Sequence, residues 1–434
     1  MITMFTPLAS LSLACLVSAS MPQQTAPPTA PPTAPPTATP VPPPVVQNAP
    51  PSLAMTRSDP KIEDVRLDIS LYGSEAALPT ARQLDKEGKT VRSAPYRLGS
   101  GAHIGIPVIT RTSWCDTDFT QLDTRVYTDG RETILDPATT YRKLGAGVEA
   151  IIDIPVPASN EIGYNEIRAR LIYKVQLWEL DVDEGMAARS TWPRSWGTAF
   201  DRYLGGDNFI IPTDPAIKSC AEGSTPGGAR SVSPFYAARN AVVAILARWK
   251  SVSGGTSELG PDSTLRGIRT SPDGYFGIGV QRGSPVELAV TCVAAVRAIG
   301  IPSRVVYCLT EDGDNARGKS QTKFRYICEF YLKDVGWIPF DPIEMRGSGA
   351  TSRLTNGPLK GFANVDDIET ALPIALRPIP DGYAQADRIA CWGWIAPGAG
   401  IDSSYAISRM YLDFTGRGNG KTPRMPAPAG DEGS

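Results

Sequence analysis

Seven cysteines and one histidine bound the nucleophilic chemistry open to this chain. The cysteines are Cys15, Cys115, Cys220, Cys292, Cys308, Cys328 and Cys391, and the histidine is His103. One imidazole cannot build a multi-histidine zinc site, and it leaves a single candidate for a histidine base. The cysteine spacings contain no CxxC and no zinc pattern, so no metal and no other cofactor is expected. His103 lies in Gly101-Ala102-His103-Ile104-Gly105 with no acid or thiol motif around it and is read as structural or exposed. A thiol becomes reactive where a helix N-terminus or a neighbouring cation lowers its pKa. Cys292 sits two turns into a helix beginning at Pro285, about 10 Å from its start, among Val290, Val293 and Val296. It is read as a core thiol. Ser284 stands at that helix start, but Ser284-Pro285-Val286-Glu287 has the layout of a capping box: Ser as N-cap, Pro as first helical residue, Glu at N3. The cap accounts for these residues without catalysis.

Other motif-like runs fail on detail. Gly416-Arg417-Gly418-Asn419-Gly420-Lys421-Thr422 resembles a phosphate loop, but Thr415 replaces the first glycine and Pro423 stops any helix. Asp312-Gly313-Asp314-Asn315 lacks calcium-loop spacing and reads as a turn. Trp392 and Trp394 alternate on one strand face, where core or a domain seam is the expectation and a sugar platform the alternative.

The elements that position these residues fall into two parts. Val65, Leu67, Ile69 and Leu71 alternate with polar residues, as do Ala169, Leu171, Tyr173, Val175 and Leu177, and Ile151 to Val156 forms another apolar run. Thr128-Asp129-Gly130 marks a turn between strands. This pattern predicts an antiparallel β-sandwich over 61–194. A helix is expected from Ser233-Pro234 to Lys250 and another from Pro285 to about Ile299. Strands are expected over 304–309, 325–332, 389–394 and 407–414. Cys308 and Cys328 fall on two of these, predicted to be neighbours, and are the disulfide pair expected among six cysteines left after export.

The N-terminus reads as an address. Residues 1–56 carry no charged side chain, and the apolar run Phe5 to Ala19 ends in Val17-Ser18-Ala19. A signal peptide over 1–20 is expected, although no Lys or Arg precedes the run; lipidation at Cys15 is the weaker alternative. The run is too short to span a membrane. The repeat Thr25-Ala26-Pro27-Pro28 recurs at Thr29 and Thr33, so 21–60 is a Pro/Thr/Ala-rich spacer of polyproline II type. With 434 residues, 20% charged residues, a net charge of -2 and a pI of about 5.7, the chain is a multidomain globular protein without the basic footprint of a nucleic-acid binder.

Three linked motifs carry a resemblance. Arg282 to Glu287 leads into Val296-Arg297-Ala298-Ile299-Gly300-Ile301-Pro302-Ser303-Arg304. Cys328-Glu329-Phe330-Tyr331-Leu332 follows, then Gly336-Trp337 to Asp341-Pro342. Together, across roughly 195–385, these resemble the transglutaminase-like superfamily, whose fold is similar to that of papain-like cysteine peptidases. The resemblance implies a Cys–His–Asp triad. Counting back from Gly300 puts the thiol position on Pro285. Counting back from Glu329 puts the imidazole position on Arg325, and Asp341 matches the third member. Proline offers no nucleophile, and arginine is no general base near neutral pH.

The sequence therefore predicts an α+β chain: an antiparallel β-sandwich, then a transglutaminase-like core over 195–415, and a disordered tail over 416–434. The function expected is an exported, non-catalytic peptide-binding or scaffolding module. Its former cleft would be lined by Ser284, Glu287, Arg325, Glu329, Trp337 and Asp341, with Arg325 and Asp341 either a structural pair or a clamp for a carboxylate or peptide group. Two alternatives stand beside it: an active cysteine peptidase or acyl transferase using other residues, and a cell-wall or carbohydrate binder. No nucleic-acid partner and no transmembrane segment are expected.

Overall fold

The computed structural model describes residues 54–73, 103–143, 147–156, 166–207, 210–251, 281–282, 285–312, 321–350, 358–377, 384–385, 394–395 and 405–414. The expected signal peptide over 1–20, nearly all of the expected spacer, Cys15, Ser284, Cys391, Trp392 and the expected tail over 416–434 lie outside these residues. Contacts divide the chain into Met1–Val46 and Gln47–Ser434, and all that follows concerns the second unit. Among the described residues no helix is long and apolar enough to cross a membrane.

The strands of the first half are β1 (Met55–Gly73), β2 (His103–Ile109), β3 (Cys115–Thr128), β4 (Arg131–Leu135), β5 (Tyr141–Lys143), β6 (Glu149–Pro155) and β7 (Glu166–Val182). Next come a short parallel pair, β8 (Trp249–Ser251) and β9 (Gln281–Arg282), then β10 (Ser303–Asp312), β11 (Gln321–Leu332), β12 (Gly336–Phe340) and β13 (Leu372–Ala375). The chain closes with β14 (Ala384–Gln385), β15 (Trp394–Ile395) and β16 (Tyr405–Phe414).

Two five-stranded antiparallel sheets are built from the first-half strands and the last three. One runs β16-β1-β7-β3-β4 and the other β14-β15-β2-β6-β5. The period-two pattern explains the first. Val65, Leu67 and Ile69 of β1 and Ala169, Leu171, Val175 and Leu177 of β7 are at most 1% exposed, while Arg66 and Arg170 between them face outward. Each large apolar side chain so buried contributes about 1.5–3 kcal/mol. Phe119 of β3 bridges the two sheets, its ring centroid 5.2 Å from both Tyr141 and Tyr173. Asp129 (φ 46°) and Gly130 (φ 84°) make the two-residue turn joining β3 to β4, the left-handed geometry that matches strand twist in a hairpin. β16, grouped by its position in sequence with the core, instead pairs with β1 from Val65–Phe414 to Gly73–Tyr405.

The core is a four-stranded antiparallel sheet, β12-β11-β10-β13, packed on helices. The helices are α1 (Pro215–Glu222), α2 (Pro234–Arg248), α3 (Pro285–Ala298) and α4 (Pro342–Gly347). Each has proline in its first turn, where the missing N–H costs no hydrogen bond. Asp214, Ser233 and Asp341 cap α1, α2 and α4 from their side chains. Helix α3 is buried on every side from Val286 to Arg297, as expected of a central helix. It ends in a Schellman motif: Gly300 (φ 82°) donates to Arg297 O at 2.9 Å and Ile301 donates to Val296 O at 3.2 Å. The Gly-Ile-Pro run thus stops the helix, and Pro302 keeps it from resuming.

One expectation is corrected. Cys308 and Cys328 do lie on the neighbouring strands β10 and β11, but both are free thiols, as are Cys115, Cys220 and Cys292. Cys308 is opposite Arg325, three positions from Cys328. An odd separation along a strand sends the two thiols to opposite faces of the sheet.

Candidate functional site

Strand β11 carries the site. Its even-numbered residues face the helices: Cys328 Sγ donates to Ala289 O of α3 at 3.6 Å, and the Phe330 ring lies 6.2 Å from that of Phe235 in α2. Arg325 and Glu329, odd-numbered, point to the other face.

Arg325, on the position the resemblance gives to an imidazole, has a partner at each of its three nitrogens. Its Nε donates to Asp341 Oδ2 at 2.9 Å. Nη2 donates to Asp366 O at 2.9 Å and lies 3.5 Å from Glu344 Oε2, while Nη1 donates to Asp367 O at 3.3 Å. Asp341 is 4% exposed and equally committed. Its other oxygen, Oδ1, accepts the Ile343 and Glu344 amides at 2.9 and 3.1 Å as the N-cap of α4. Its own amide donates to Gly361 O at 2.7 Å. Gly361 allows that approach, because a Cβ there would sit 2.9 Å from Met345 N. The pair therefore anchors the segment 358–371 to the core. Lys360 completes the anchor, 2.6 Å from Asp366 Oδ2 and 3.9 Å from Glu344 Oε1. Burial pushes the Glu344 carboxyl above its ordinary range, and the neighbouring Asp366 and Asp341 add to the shift, against the Asp366 amide and Arg325.

Glu329, four residues along the same face, is wholly buried. Its Oε2 accepts from Arg304 Nε at 2.6 Å, directly across the rung on β10, and its Oε1 accepts from Ser113 Oγ at 2.8 Å. Arg304 stacks on Trp337, with Cζ 4.1 Å from the ring centroid. Burial pulls the Arg304 pKa down more than any single neighbour raises it, but the Glu329 charge, Tyr203 and the hydrogen bonds to both together hold the guanidinium above its usual value. Trp337, Tyr331, Phe200, Tyr203 and Trp196 pack edge-on or tilted around this pair, and Trp196 Nε1 donates to Gly300 O at 2.8 Å. Arg297, also buried, spends its donors on Ser303 O and Gly205 O, and desolvation lowers its pKa to about 10.

The helix-start residues complete the predicted set. Pro285 opens α3, and Glu287 in its first turn is 2% exposed. Cys292 is fully buried, and burial raises its thiol well above the usual range; Cys308 and Cys328 are raised in the same way, and Cys115 to about 12. Such thiols are not poised as thiolates. His103 Nδ1 lies 3.2 Å from Asp153 Oδ1 on β6. Among the described residues no thiol meets the imidazole. The structure brings Arg325 and Asp341 together, and separately Glu329 with Trp337 through Arg304. Reading by residue type missed Arg304, though it closes the Gly-Ile-Pro-Ser-Arg run. Ser113 carries no sequence signal, because it reaches Glu329 from 216 residues away.

Residues 273–342 match the family model of the transglutaminase-like superfamily. No curated protein matches the chain in sequence. Among solved structures, the chain is similar to a provisionally assigned cysteine protease from Cytophaga hutchinsonii, at 12% identity over 83% of this chain and 91% of that one, with a TM-score of 0.46. It is similar to the periplasmic domain of TgpA from Pseudomonas aeruginosa at 16% identity, over 65% of this chain and 90% of that one, with a TM-score of 0.29. Red sea bream transglutaminase gives 14% identity over 65% of this chain and 54% of that one, with a TM-score of 0.24. The chain thus carries a transglutaminase-like core, with the family's segment running from the residues before α3 to the first residue of α4.

Proposed function

We propose that the core is a non-catalytic scaffold on an exported chain, offering its former cleft to a peptide or protein. The carrying observation is the engagement of Arg325 by Asp341 and the 358–371 segment. In the family's arrangement its position would hold a base facing a thiol. Here its guanidinium is spent on Asp341 and on two backbone carbonyls of 358–371, and Pro285 begins the helix where the thiol would stand. Arginine cannot take up a proton near neutral pH. The buried, high-pKa thiols support the same reading. The apolar N-terminal run and the proline-rich spacer support export and display away from an anchoring point.

The test is turnover of glutamine-containing and amide peptides by the full chain, with site-resolved alkylation of each cysteine by mass spectrometry. The expected result is no turnover and no labelling of Cys292, Cys308 or Cys328 before unfolding. Turnover abolished by Cys292→Ala would overturn the reading in favour of an active cysteine enzyme.

A further inference from the structure

On the outward face of the sheet containing β7, three arginines share three carboxylates, and a fourth arginine, Arg168, lies beside them. Asp68 of β1 accepts from Arg170 Nε at 2.6 Å and Nη2 at 3.0 Å, and from Arg66 Nη2 at 2.7 Å. Asp123 accepts from Arg125 Nη2 at 2.6 Å, and Glu132 accepts from Arg125 Nη1 at 2.9 Å and from the Tyr127 hydroxyl at 2.8 Å. Every carboxylate in this network is engaged by Arg66, Arg125 or Arg170.

Arg168 lies in the next row of the same face. Tyr127 on β3, Arg168 on β7 and Ser70 on β1 are successive cross-strand partners, and the row continues to the Arg409 position on β16. At its other end the row reaches Glu132 on β4, opposite Tyr127, whose carboxylate is taken by Arg125 and by the Tyr127 hydroxyl. The Arg168 guanidinium lies over the Tyr127 ring, with Cζ 4.4 Å from the centroid. Its Nε is shielded from solvent and has no hydrogen-bond partner. Arg170, itself paired with Asp68, donates to the Tyr127 hydroxyl at 3.1 Å and helps fix the ring. The ring holds the guanidinium in place, so little side-chain freedom remains to be lost on binding.

We propose that Arg168, seated on Tyr127, is a binding site for an oxyanion (a carboxylate, sulfate or phosphate group), read by its two terminal nitrogens. A planar guanidinium edge accepts such groups through two parallel N–H···O bonds. The site is separate from the β11 cluster and does not depend on whether that cluster is catalytic.

The probes are sodium acetate, sulfate and phosphate, titrated into the full chain at constant ionic strength with chloride as reference, by calorimetry and by the Arg Nε–H resonances of 15N-labelled protein. Saturable binding of at least one oxyanion is expected, with one arginine Nε–H moving most. Arg168→Gln should weaken it about tenfold or more, and Arg168→Lys less, since the charge stays and the fork goes. Acetate binding alone assigns a planar carboxylate; tighter sulfate and phosphate assign a tetrahedral group. Responses equal to chloride, or unchanged in an Arg168→Gln protein with the parental melting curve, would overturn the proposal.

Discussion

Two arginine–carboxylate pairs are anchored four residues apart on β11, and they are built differently. Glu329 meets Arg304 with both side chains sealed, at 0% and 4% exposure, against a wall of aromatic rings. Arg325 meets Asp341 at the sheet's margin, with the arginine 21% exposed and two of its five donors on backbone carbonyls. The inner pair is a closed unit whose Ser113 contact fastens the core sheet to the loop before β3. The outer pair is a latch that holds 358–371 in place. The contrast teaches that the same two functional groups give rigidity when desolvated and a local, separable anchor when they reach a surface segment.

The sharpest way to break this contrast is to remove the inner arginine. Arg304→Ala leaves a buried carboxylate without its cation and should cost about 3–5 kcal/mol in urea unfolding. A loss near zero would place Glu329 in contact with water. Arg325→Ala should cost about 1.5–3 kcal/mol, because charge-assisted bonds are lost at a site where water can partly replace them. Its distinguishing readout is amide exchange: protection should fall over 358–371 and stay unchanged on β10. Ser113→Ala leaves Glu329 its cation but one donor short, so a loss of about 1 kcal/mol is expected, again by urea unfolding.

The smallest effect sharpens the outer latch through pH. The folded pKa of Glu344 is raised by burial, so its stabilising contribution is complete below the ordinary carboxylate pKa and is lost as pH rises through the raised one. Glu344→Gln, uncharged throughout, should melt slightly higher than the parent at pH 7, by roughly a few tenths of a kcal/mol given the partial exposure. The two curves should converge below about pH 4, the ordinary carboxylate range. A gap that widens on acidification would reverse the assigned direction.

The sequence carried the local decisions. Alternation set β1 and β7, Asp129-Gly130 set a hairpin turn, and Pro234 and Pro285 set two helix starts, because these signals act through dihedral preference and side-chain period within a few residues. The Gly300-Ile301-Pro302 stop and the neighbouring of β10 and β11 were legible for the same reason. What tertiary structure decided was partnership. Cys308 and Cys328 stay reduced because the pleat turns them apart. Ser113 and Arg304 converge on Glu329, Arg325 takes the carbonyls of Asp366 and Asp367, and β16 returns to β1. Each of these joins residues far apart in the chain, and which of them meet depends on how whole sheets and helices pack, a choice that no local run of side chains encodes.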